Sequence, residues 1–160
     1  MTNEQVGARL AEMLAEKDQE SAASIDRTGI DIDAVVAAYV GTLLWQQSCY
    51  GIAPHPDCNG EGCDTSLQSL NYDADDMHAD AMESIRGDVT DFIAANADDI
   101  AALNLSAEQV GHDFLLSRCC HGAGFFDRGW GEAGDRLQDA AEVYGETYAW
   151  VDDEGRVCVQ

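Results

Sequence analysis

Apolar residues recur at helical spacing along much of the chain, and the polar residues between them mark where helices start and stop. Val6, Leu10, Met13 and Leu14 fall on one side of a first helix that Thr2 or Asn3 can cap and that runs to about Gln19. The Ser/Ala-rich segment Glu20 to Gly29, closed by Thr28-Gly29, reads as a loop, so residues 1–30 are expected to be a peripheral helix and a loop. Asp31 or Asp33 starts a second helix, Ala34 to about Gln47, in which Val35, Val36, Tyr39, Val40, Leu43, Leu44 and Trp45 are apolar nearly all round. Such a helix belongs at the centre of a core. Residues 49–72 hold both prolines, Pro54 and Pro56, and the run Asn59-Gly-Glu-Gly62, and read as a long irregular loop. A loop of that length needs a staple or a task to persist in a compact domain. A third helix is expected over Asp75 to Asn96. Met82, Ile85, Val89, Phe92 and Ile93 lie on one face, and Asp76, Asp80, Glu83, Asp88 and Asp91 lie opposite.

Ala97 to Leu103 fits a short helix, and Ser106-Ala-Glu-Gln109 has capping-box spacing for a helical turn ending near Gly111. Beyond it, a β-hairpin over residues 112–128 places Leu116 opposite Phe125, Leu115 opposite Phe126 and Asp113 opposite Arg128, with Cys119 to Gly122 as its turn. Extension of the preceding helix through Arg118 is the alternative. A helix from Glu132 to Tyr144, stopped by Gly145, carries Ala133, Leu137, Ala140, Ala141 and Tyr144 on one side. A second hairpin, Thr147 to Val151 and Arg156 to Val159, turns at Asp152-Asp-Glu-Gly155. The expected fold is therefore α+β in one domain over residues 1–160. A helical N-terminal half packs with a C-terminal β-β-α-β-β unit spanning residues 106–160.

The stretch His112-Asp-Phe-Leu-Leu-Ser-Arg-Cys-Cys-His-Gly-Ala-Gly-Phe-Phe-Asp-Arg128 resembles a group of small bacteriophage proteins that carry a segment like HDFWLTRNGHGAGFWDR, followed by a helix and a terminal hairpin. The resemblance covers about residues 70–159, including Asn71-Tyr72-Asp73 and the acidic helix after it. It implies a phage or prophage origin and an intracellular setting, and it brings no activity with it. This chain departs from the pattern at Leu115 and Phe126, where the group tends to have Trp, and at Cys119-Cys120, where it tends to have Asn-Gly.

Composition narrows the function. Thirty-one acids against eight bases give a net charge of −23, which disfavours binding to nucleic-acid backbones or anionic membranes through the general field. The longest largely apolar run, Ala34 to Trp45, is shorter than the roughly twenty residues of a membrane span. The first residues are neither basic nor apolar, so no secretory signal is expected and the host cytoplasm is the expected location. Residues 73–99 hold nine acids and one base, Arg86. Asp73, Asp76, Asp80, Glu83, Asp88 and Asp91 are accordingly expected to meet a basic host protein, in particular a nucleic-acid-binding one, by imitating a row of phosphates. The acidity also fits salt adaptation without a charge-specific partner.

Two further constellations carry chemistry. Cys49, His55, Cys58 and Cys63 share one loop, and two cysteines bracketing Asn-Gly-Glu-Gly can wrap one structural zinc ion. If the hairpin over residues 112–128 forms, Arg118, His121, Asp127 and Arg128 converge. A histidine and an aspartate beside two arginines would suit a small enzyme acting on a phosphorylated or nucleotide substrate. No nucleophile elbow, phosphate loop or zinc-protease motif accompanies them. A non-enzymatic acidic binder is therefore the leading expectation.

Overall fold

A computed structural model describes residues 3–49 and 64–160. The long first helix, α1 (Asn3–Thr28), does not stop at Gln19. Serine and alanine at 21–23 do not break a helix, and Ile25 packs against the core, so the segment expected to be a loop is held helical by tertiary contact. The helix ends at Gly29, whose φ of +65° suits a residue without a side chain. There Thr28 Oγ1 donates to the Ile25 carbonyl at 2.7 Å and accepts from the Ile30 amide at 3.1 Å.

The central helix, α2 (Ile32–Gln46), is capped by Asp31, whose carboxylate accepts from the Asp33 amide at 2.9 Å. Val35, Val36, Tyr39, Val40, Leu43 and Leu44 are buried, as expected, but Trp45 at its end is 59% exposed. Of the loop expected over residues 49–72, residues 50–63 lie outside the described ones, and two backbone hydrogen bonds tie residues 47–49 to 65–67. The Cys49 amide donates to the Thr65 carbonyl at 2.8 Å, and the Leu67 amide donates to the Gln47 carbonyl at 2.9 Å.

The expected single helix from Asp75 to Asn96 is divided in two. A 3-10 turn, Ala74–Asp76, is closed by a capping box between Asp73 and Asp76, and α3 (Ala79–Ala95) follows. The division falls at Met77 and His78 because their backbone is engaged elsewhere. Met77 bridges Val157, and the His78 amide donates to the Val157 carbonyl at 2.8 Å. His78 then caps α3, its Nδ1 accepting from the Asp80 amide at 3.2 Å. The short α4 (Ala97–Ala102) follows.

The largest correction lies between residues 107 and 128. The hairpin does not form and the alternative reading holds: α5 (Ala107–Arg118) runs unbroken through Arg118 from the Ser106 cap, whose Oγ accepts from the Gln109 amide at 3.1 Å. Val110 and Phe114 fall on one helical face, and Phe114-Leu115-Leu116 lacks the alternation of a half-buried strand. The chain then reverses through Cys120, with φ of +52°, into a 3-10 turn, Phe125–Arg128. Asp113 and Arg128 do pair, but from a helix to a 3-10 turn and not across strands.

Helix α6 (Gly131–Glu142) leads to the terminal hairpin, β1 (Ala149–Val151) antiparallel to β2 (Val157–Val159), with Trp150 opposite Cys158. It is the sole sheet among the described residues, so the architecture is α+β but mostly helical. The core forms where α5 crosses α2. Gly111 permits that approach, since a Cβ there would collide with the Val35 carbonyl oxygen and stand 2.9 Å from the Tyr39 nitrogen. Phe92 stacks on Phe114 at 4.2 Å between ring centroids, and Phe125 and Tyr144 close the cluster at 5.6 and 5.0 Å from one of these rings.

Candidate functional site

The acidic surface is built on α3 and the turn before it. Ile85, Val89, Phe92 and Ile93 face the core, which obliges Asp80, Glu83 and Asp91 to point outward, and all three are exposed. Asp73 and Asp75 extend the surface in front of the helix, and Asp76 sits beside them half-buried. Asp73 and Asp76 also cap their own turn: the Asp73 amide donates to Asp76 Oδ2 at 2.9 Å, and the Asp75 amide donates to Asp73 Oδ1 at 2.8 Å.

Asp88, expected on the same face, is committed inward. Its Oδ2 accepts from Arg118 Nη1 at 2.8 Å, and its side chain is only 35% exposed. Two further acids of the stretch are neutralised as well. Arg136 grips Asp99 through Nε at 2.9 Å and Nη2 at 2.6 Å, and this hydrogen bonding holds the Asp99 carboxyl below its ordinary range. Asp98 lies 3.4 Å from Arg27. Arg86, the one base on α3, turns away to Asp33 on α2. The carboxylates left facing solvent on α3 have no arginine or lysine paired with them among the described residues, and His78 Nδ1 lies 3.9 Å from Asp80.

The four candidate catalytic residues do not form one site. The Arg118 guanidinium is 8% exposed and turned into the core. Besides Asp88 it donates to Tyr39 Oη at 3.0 Å, the Gly145 carbonyl at 2.8 Å and the Tyr144 carbonyl at 3.0 Å, and it stacks 5.7 Å from the rings of Phe114 and Tyr144. Burial outweighs the neighbouring guanidinium at Tyr39 and pushes its hydroxyl up to about 12. Arg128 is consumed by Asp113, which is fully buried. Nε reaches Asp113 Oδ2 at 3.1 Å and Nη2 reaches Oδ1 at 2.6 Å, and this pairing raises the Arg128 pKa. Asp127 accepts from the Gly124 amide at 3.2 Å.

Of the four, only His121 lines a groove of about 910 Å³, which also holds Trp45, Leu116 and Ala123 but none of Arg118, Asp127 and Arg128. Gln46, on the same groove, keeps a buried Oε1 with no hydrogen-bond partner among the described residues. The sequence missed this groove because Trp45 ends an apolar helix and reads as core. Its one available signal was the polar pair Gln46-Gln47 that follows.

Of the proposed zinc ligands, His55, Cys58 and Cys63 lie outside the described residues. Cys49 is buried and belongs to the hydrophobic core, and among the described residues no group of three or more His, Cys, Asp or Glu side chains is placed to hold a metal. Among the same residues no helix is long and apolar enough to cross a membrane. No protein-family model, no curated protein and no solved structure matches the chain.

Proposed function

We propose that this chain is a non-enzymatic, phage-encoded protein that presents the acidic edge of α3 to a basic, nucleic-acid-binding protein of the host cytoplasm. The observation that supports the reading is the uneven neutralisation of the acids. Arginines are spent on Asp33, Asp88, Asp99 and Asp113, while Asp80, Glu83 and Asp91 stay exposed on one helical face beside Asp73 and Asp75. A surface that needed only solubility could distribute its ion pairs evenly; here one edge keeps its full negative field.

By helix geometry Asp80, Glu83 and Asp91 span about 16 Å along the axis, a length over which one DNA strand places about five phosphates. The edge therefore imitates the field of a strand more than its spacing. The enzyme reading through Arg118, His121 and Asp127 has no comparable support, because Arg118 is occupied in the core.

The test is capture from bacterial lysate by the wild-type chain and by the triple variant Asp80→Lys, Glu83→Lys, Asp91→Lys. These positions leave the Asp73–Asp76 cap untouched, so the fold should survive. The expected result is a basic nucleic-acid-binding protein held by the wild type, displaced by duplex DNA and lost with the triple variant. Retention by the triple variant, or indifference to DNA, overturns the proposal.

A further inference from the structure

The N-terminal half of α1, Glu4 to Glu16, stands clear of the body, and Lys17 and Glu20 border a groove against Asp91, Ala94, Ala95 and Tyr144. Every side chain from Glu4 to Glu20 is exposed, whereas Ser21, Ile25 and Thr28 near the other end are half-buried. Within the overhang Val6, Leu10, Met13 and Leu14 lie in an arc of about 100° at 100° per residue, and each is 50–56% exposed. Four large apolar side chains in one exposed stripe are a face without a partner among the described residues.

We propose that this face is covered by the same face of a second copy of the chain, with the two helices antiparallel. The surroundings of the stripe select that occupant. Residues 6–17, which carry the stripe, hold two acids and two bases in a chain of net charge −23, so the stripe is set in a neutral stretch and offers no attraction to a strongly basic or acidic partner. Its charges are instead complementary to themselves. With a two-fold axis between Leu10 and Met13, Leu10 of each helix meets Met13 of the other, and Val6 meets the aliphatic stem of Lys17, the only lysine in the chain. On one flank Arg9 of each copy then faces Glu16 of the other, giving two ion pairs. On the opposite flank Leu14 lies over Gly7 of the second copy, where the structure leaves open space. A parallel pair would oppose Lys17 to Lys17 and leave Arg9 against Leu14, so the antiparallel arrangement is the one the charges allow.

Sedimentation velocity of the full chain from 1 to about 500 μM, with reductant present to exclude disulfide links through Cys120, reads the association directly. The wild type is expected to shift from monomer to dimer over that range, and Leu10→Asp is expected to stay monomeric. Glu16→Arg, which leaves the intrahelical Arg9–Glu12 pair at 3.2 Å intact, is expected to weaken the dimer about tenfold. The double exchange Arg9→Glu, Glu16→Arg restores both cross-helix pairs, and its dimer constant should return to within about threefold of wild type. Circular dichroism confirms that each variant keeps its helix content. A wild type that is monomeric throughout, a dimer that persists in Leu10→Asp, or a double exchange no tighter than Glu16→Arg alone overturns the proposal.

Discussion

Replacing Arg118 by Met tests whether this arginine is a structural hub. Methionine fills much of the same volume and keeps the apolar contact with Phe114 and Tyr144, so the change removes mainly charge and donors. Left behind are Asp88, Tyr39 Oη and the carbonyls of Tyr144 and Gly145. Breaking a fully buried ion pair costs about 3–5 kcal/mol. Asp88 is 35% exposed and can rehydrate, which lowers its share, whereas the two carbonyls lose charge-assisted partners near the core. The balance is about 3 kcal/mol, a large fraction of the roughly 5–15 kcal/mol that holds a domain folded. At 2–4 °C per kcal/mol for a chain of this size, Tm should fall by roughly 6–12 °C. Urea unfolding at pH 7 followed by circular dichroism measures the loss. Asp88→Asn in the Arg118→Met background should cost about 1 kcal/mol less than in the wild type, because the carboxylate has already lost its partner. A loss below about 1 kcal/mol for Arg118→Met, or strict additivity of the two changes, would show that the guanidinium holds nothing together.

Tyr39 sets an alkaline limit. Its folded pKa is pushed up to about 12 while the unfolded chain titrates near 10, so the folded state keeps a proton that the unfolded state releases. Stability from this group is fully present below pH 10 and is lost as pH rises to 12, by roughly 3 kcal/mol. Tyr144, also raised by burial, acts in the same direction, so the measurement is the difference in urea midpoint between wild type and Tyr39→Phe from pH 9 to 12. Equal alkaline losses in the two proteins refute it. Gly111→Ala drives a methyl into the α2 backbone at Val35 and Tyr39, which cannot yield as a flexible side chain could. It should cost about 3 kcal/mol or more in thermal unfolding, and a change within 0.5 kcal/mol would show that the two helices separate without penalty.

What the sequence disclosed divides along the distance over which each signal acts. The Asp31 and Ser106 caps, the all-round apolar α2, the two faces of α3 and the terminal hairpin are set by residues within one or two turns of each other, and each is present, although α3 begins at Ala79 and not at Asp75. The errors arose wherever a distant partner decided. Ile25 finds the core and carries α1 through a segment whose composition suits a loop. Val157, eighty residues downstream of Met77, takes up the backbone at Met77 and His78 and divides the expected helix. The pairing of Asp113 with Arg128 was legible because opposite charges fifteen residues apart can meet in more than one fold. That same ambiguity let a helix followed by a 3-10 turn pass for a hairpin.

The candidate site shows the same limit more sharply. An arginine in a polar motif reads as available for substrate, and nothing local reveals that Arg118 is claimed by Asp88, Tyr39 and two carbonyls brought in from the end of α6. Helical phase, by contrast, fixes which acids face outward without any partner being known. Burying Ile85, Val89, Phe92 and Ile93 leaves Asp80, Glu83 and Asp91 no direction but solvent. Asp88 departs from that rule because its position is at the border of the face, near enough to the core for a buried guanidinium to capture it. The acidic edge therefore follows from periodicity and its gap at Asp88 from tertiary structure, which makes Asp80, Glu83 and Asp91 the positions where charge reversal separates binding from folding.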